Sequence, residues 1–130
     1  MAKEVIGGPL VINGRTLSLS RAVRAGDMVY LTGQIPMRDG AVMTEGSIEE
    51  QTRAVMDAIS ETLALAGCGM DKVVKAMVWL TSSDDFPGFN AVYAEYFPEN
   101  PPARSAVIGE MLVDVKVEVE VIAYDPEGAK

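Results

Sequence analysis

A chain of 130 residues, 48% of them hydrophobic, is long enough for one domain with a real core and too short for a second, so 1–130 reads as a single domain. Nineteen Asp and Glu against eleven Lys and Arg leave a net charge of -8, which argues against nucleic acid as a partner. With no histidine and a single cysteine, histidine triads, His-ligated or cysteine-caged zinc and an intrachain disulfide are all excluded.

In chain order, Met1 to Leu10, interrupted by Gly7-Gly8-Pro9, is expected to be a loose lead-in with at most one short extended piece. Asn13-Gly14 is the strongest hairpin signal, with Val11-Ile12 and Thr16–Ser20 as its arms. Ala22-Val23-Arg24, a Gly26-Asp27 turn and Met28–Thr32 make a second hairpin, closed by Gly33-Gln34-Ile35-Pro36. Gly33 there is either a strand end or a place where backbone can approach a ligand. After an Arg38-Asp39-Gly40 turn, Ser47 and Glu50 form a capping box. Ile48, Thr52, Val55, Ile59, Leu63 and Ala66 then fall on one helical stripe that ends at Gly67 or Gly69. Cys68 between those glycines reads as a small turn residue.

Lys72 to Thr81 is a strand with apolar residues at nearly every position, which calls for cover on both faces: helices on one and a neighbouring subunit on the other. Trp79 on it reads as packing or interface. Ser83-Asp84-Asp85 is expected to cap a second helix with Pro87 in its first turn, and Phe89, Val92, Tyr93, Tyr96 and Phe97 make a core stripe. Pro98 to Pro102 break the helix. The order of elements gives an α+β fold, one β-sheet with two helices packed on one face.

The last third carries the chemistry. Pro101-Pro102 launches a strand bearing Arg104, and a second strand alternates Val113, Val115, Val117, Val119 and Val121 with Asp114, Lys116, Glu118 and Glu120. A guanidinium on rigid backbone fits a carboxylate with two hydrogen bonds, and a nearby glutamate can orient or deprotonate water. On spacing alone, charges on a half-solvated strand more often simply face water. No apolar run approaches the ~20 residues of a membrane span, and Met1–Glu4 lacks a signal-peptide core, so a cytoplasmic protein is expected.

Pro102-Ala103-Arg104-Ser105, then Asp114-Val115-Lys116-Val117-Glu118-Val119-Glu120-Val121-Ile122-Ala123, resembles the signature of the Rid (YjgF) family of enamine/imine deaminases, in its arginine-containing branch. Gly26 to Pro36, Gln51-Thr52-Arg53 and Phe89 to Tyr93 lie in family order as well, so the likeness runs from Asp27 to Tyr124. The resemblance implies a mixed sheet of chorismate-mutase-like fold, assembled as a homotrimer with pockets between subunits. It implies hydrolysis of reactive 2-enamine and 2-imine acids, such as 2-aminoacrylate and 2-iminopropanoate, to a 2-keto acid and ammonia, with no cofactor and no metal. Arg104 would hold the substrate carboxylate and Glu118 would position water, with Gly33, Asn90 and Ala106 lining the site. Glu120 is expected to pair with Lys116 or a subunit partner. The chain departs from the family where many members carry Pro-Tyr-Ser/Val-Gln and it reads Ser18-Leu19-Ser20-Arg21, and where Ala106 replaces a frequent cysteine. Two other readings stand beside the deaminase: a non-catalytic binder of small carboxylates or regulatory protein on the same fold, and an endoribonuclease.

Overall fold

The computed structural model describes residues 2–128. Strands β1 (Glu4–Ile12), β2 (Arg15–Ala25) and β3 (Met28–Leu31) lead into a small ribbon, β4 (Met37–Arg38) and β5 (Ala41–Val42). Helix α1 (Ile48–Leu65), β6 (Val73–Leu80), α2 (Phe86–Tyr96), β7 (Ala103–Ile108) and β8 (Val117–Tyr124) follow. The main sheet runs β1-β2-β3-β8-β6-β7. Only β6 and β7 are parallel, which makes the sheet mixed, and α2 is the crossover between them.

Both helices cover one face. Val29, Leu31, Ala76, Val78, Leu80, Val117, Val119 and Val121 of the sheet join Val55, Met56, Ile59 and Leu63 of α1 and Phe89 and Tyr93 of α2 in one core. The stripe on α1 is buried as its spacing predicts, apart from Ala66, which caps the helix. Ser47 closes the capping box: its Oγ accepts from Glu50 N at 3.1 Å, and Ser47 N donates to Glu50 Oε1 at 3.1 Å. Asn13 and Gly14 both take positive φ, 51° and 77°, as a two-residue turn of this hand requires.

Several expectations are corrected. Residues 4–12 are a full nine-residue strand, because β2 is long enough to pair with them across a bulge at Gly7-Gly8. The last strand begins at Val117, not Val113, and Leu112 and Val113 face solvent. β7 and β8 lie near each other without pairing, since each pairs with β6 between them. β6 alternates: Val73, Ala76, Val78 and Leu80 are buried, while Val74 and Lys75 are exposed and Met77 and Trp79 half-buried on the face without helices. The Ser83–Asp85 segment is a 3-10 turn before α2, capped by Ser82, whose Oγ accepts from Asp84 N at 3.2 Å.

Two buried polar contacts tie the ends of the core. Gln51, fully buried in α1, donates through Nε2 to the carbonyls of Met43 and Glu45, both at 3.3 Å, and accepts from Lys116 N at 2.8 Å. Arg24 donates to Asp125 Oδ2 at 2.8 Å, to the Asp125 carbonyl at 3.1 Å and to the Ala66 carbonyl at 3.0 Å, so one guanidinium pins the end of β8 and the end of α1 to β2. No helix among the described residues is long and apolar enough to cross a membrane.

Candidate active site

The diproline sets β7 going, and the parallel register places Arg104 opposite Ala76, whose side chain is fully buried beneath the helices. Arg104 therefore points to the helix side at the sheet edge. Its Nη1 donates to Asn90 Oδ1 at 3.0 Å, and its guanidinium carbon lies 4.9 Å from the centre of the Tyr93 ring, with Phe86 and Phe89 at 5.6 and 5.7 Å. Asn90 and three aromatic rings thus fix the plane of the fork and leave its other donors free, since no carboxylate lies within ion-pair distance among the described residues. Ala106, two residues on and on the same side, borders an apolar cavity of about 210 Å³ with Leu80, Phe86 and Ile108.

Glu118 is on the other face. Its partner across the ladder is Trp79, on the side the helices leave open. Gly33 lies beside it, and a Cβ at this glycine would overlap Glu118 Oε2, so residue 33 must lack a side chain for the carboxylate to occupy its place. Gly33 lies just past the end of β3, as the strand-end reading has it, and the group packed against its backbone is the chain's own Glu118. The backbone there is fixed by Gln34 and Val119, which exchange N–H to carbonyl bonds of 2.8 and 3.1 Å. Glu118 is half-buried and makes no side-chain hydrogen bond among the described residues; burial, and then repulsion from Glu120, push its carboxyl above the usual range. Glu120, on the same face, has no ion-pair partner among the described residues, so the expected pair with Lys116 is not formed. Glu120 instead borders a broad cleft of about 680 Å³ with Leu17, Leu19, Tyr30 and Thr32. Leu19 thus gives this cleft an aliphatic wall.

The predicted residues fall into two groups. Arg104, Asn90 and Ala106 meet at the helix-side edge, and Gly33 and Glu118 meet on the open face; one chain does not bring the groups together. Phe86 and Tyr93 are additions that the sequence reading assigned to the core or passed over. A stripe of aromatics leading into a Pro-Pro-x-Arg strand was the available signal. Tyr93 is buried yet its hydroxyl has no partner among the described residues, and burial pushes that hydroxyl's pKa up. Among the described residues no cluster of carboxylates and cysteine has the spacing of a metal site.

Comparison with known proteins bears on this arrangement. The family model described as endoribonuclease L-PSP matches residues 15–125. A RutC family protein of Pyrococcus abyssi is 40% identical over 129 residues, covering 95% of this chain and 98% of the relative. The mitochondrial protein MMF1 of Saccharomyces cerevisiae is 37% identical over 109 residues, 83% of this chain and 75% of its own. Among solved structures, the Rid family protein YyfA of Yersinia pestis superposes with a TM-score of 0.86 at 35% identity, covering 95% of this chain and 99% of that one. With the matched segment spanning nearly the whole sheet and both helices, the chain belongs to the endoribonuclease L-PSP family, the YjgF/Rid/RutC group.

Proposed function

We propose that the chain hydrolyses 2-enamine and 2-imine acids of the 2-aminoacrylate and 2-iminopropanoate type to 2-keto acids and ammonia, as a cofactor-independent cytoplasmic enzyme. The observation that carries this reading is the pre-set Arg104 fork, held by Asn90 and lying 4.9 Å over the Tyr93 ring with donors to spare. Such a fork grips a planar carboxylate and orients the adjacent C=N bond. The main-chain groups near Ala106 and Gly33 supply further contacts to the substrate.

Glu118 is the proton carrier. As a carboxylate it takes a proton from water as the oxygen attacks C2, and the C=N electron pair moves onto the protonated nitrogen. Glu118 passes that proton to nitrogen, and the carbinolamine then breaks its C–N bond as the hydroxyl proton moves to the restored Glu118 carboxylate and on to the departing ammonia, leaving keto acid and ammonium. An enamine first gains a proton at C3. A carboxyl with a raised pKa suits this two-way traffic near neutral pH.

Because Arg104 and Glu118 occupy opposite faces of the sheet, the working site pairs the Arg104 edge of one copy with the open face of another. A homotrimer closing around the open faces meets that need and covers Met77, Trp79 and Ile122. The test is release of ammonia and keto acid from freshly generated 2-aminoacrylate. Turnover no faster than spontaneous hydrolysis would leave a carboxylate-binding or regulatory protein, and RNA cleavage surviving repurification would favour the nuclease.

The pH dependence follows from the cause of the shift. Burial is the larger cause and Glu120 the second, and both disfavour the ionised form that acts as base. The acid limb of kcat/KM is therefore expected above the ordinary carboxylate range. Glu120→Gln removes one negative neighbour and moves that limb to lower pH; a limb that stays put or rises counts against Glu118 as the base.

A further inference from the structure

We propose that the helix side of the sheet carries a second ligand site, which holds a small α-amino acid as its zwitterion between Arg21 and Gln34. The site is a cavity of about 340 Å³ where β1, β2, the β4–β5 ribbon and α1 meet, with Arg21, Gln34, Asp39 and Glu61 as its polar residues. That volume lies at the small end of ligand pockets and exceeds what an amino acid of two to four carbons needs.

Two side chains there have hydrogen-bonding capacity left over. Arg21 is half-buried and makes one side-chain hydrogen bond, Nη2 to Thr62 Oγ1 at 3.1 Å, with no ion pair among the described residues. A guanidinium has five N–H donors. Its stem runs past Gly7, where a Cβ would sit 3.3 Å from Arg21 Cδ and 3.2 Å from Leu65 Cδ1, so the absent side chain at Gly7 leaves the arginine its path. Gln34 is more than nine-tenths buried, with 7% exposure. The residue borders the cavity; its Nε2 donates to the Thr32 carbonyl at 3.2 Å, and its Oε1 accepts no hydrogen bond among the described residues.

The unused groups select the ligand. Arg21 offers donors that a carboxylate would accept, and Gln34 Oε1 is an acceptor that wants a donor. The two carboxylates on the rim, Asp39 and Glu61, add negative charge, which suits an ammonium and disfavours a lone anion. A molecule with a carboxylate and an ammonium on one carbon satisfies all four. The site is separate from the Arg104 and Glu118 groups. It is linked to the Glu118 strand through Gln34, whose main chain is bonded to Val119, the next residue on β8.

Calorimetric titration of the intact protein with L-alanine, acetate and methylammonium tests this. Expected is an L-alanine dissociation constant on the order of 1 mM, with acetate and methylammonium each at least about tenfold weaker. Arg21→Met should weaken L-alanine binding by about tenfold or more, and the solvent-exposed change Glu61→Gln, which leaves the core untouched, by several-fold. Arg104→Ala should bind L-alanine as the parent protein does. No saturable heat with L-alanine, acetate binding as tightly as L-alanine, or binding lost in Arg104→Ala and kept in Arg21→Met and Glu61→Gln would each overturn the assignment. Since neither the probe nor these variants involve imine turnover, the outcome is independent of the deaminase reading.

Discussion

Arg104→Ala is expected to lower kcat/KM for 2-iminopropanoate by about 10² to 10³, the effect of removing one partner of a desolvated, hydrogen-bonded charge pair worth roughly 3–4 kcal/mol. The loss should appear in both kcat and KM, because the fork binds the carboxylate in the ground state and also aligns C2 for attack. Circular dichroism and the oligomeric state should remain those of the parent, since Arg104 sits at a sheet edge, half-buried, and its guanidinium makes one hydrogen bond among the described residues, to the Asn90 side chain. Arg104→Lys should recover little of the activity, because a point charge cannot bond Asn90 and a carboxylate in one plane as a guanidinium fork can. A variant with parental turnover removes Arg104 from the site.

The largest expected effect on stability comes from Asp125→Ala, which leaves Arg24, 7% exposed, charged and facing two carbonyls with no counter-ion. Breaking a buried pair from one side costs about 3–5 kcal/mol, and for a domain of this size the melting temperature should fall by about 10 °C or more. Arg24→Met combined with Asp125→Leu removes both charges and should recover a large part of the loss, since the penalty lies in the orphaned ion more than in the lost attraction. Thermal melts of the single and double variants give the comparison. A single variant that melts with the parent would show the pair to be dispensable.

Much of this architecture was legible in the residues because local chemistry dictated it. Asn13-Gly14 demands a turn with two positive φ values, and Ser47 with Glu50 closes a capping box whatever lies around it. Two kinds of feature were hidden. β1 was missed because Gly7, Gly8 and Pro9 read locally as breakers, and only pairing with the long β2 turns that interruption into a bulge. The division of the site was hidden too: alternation shows that Arg104 and Glu118 each prefer a face, but whether they share one depends on β6 entering between their strands. Sequence order placed them 14 positions apart on consecutive strands and gave no sign of that insertion. Gly33 was legible as a strand end, but its neighbour was not, because Glu118 comes from a strand 85 residues later in the chain.

The position of β8 has a kinetic consequence. The final strand lies between β3 and β6, so β1 to β3 and β6 with β7 have no shared ladder until it inserts. A nascent chain leaving the ribosome must hold two half-sheets with open edges, and the hydrophobic row meant for Val117, Val119 and Val121, until the last segment emerges. Commitment to the native state is then a late, all-or-none event. Chaperone dependence and aggregation during slow translation should rise with any delay in delivering that segment.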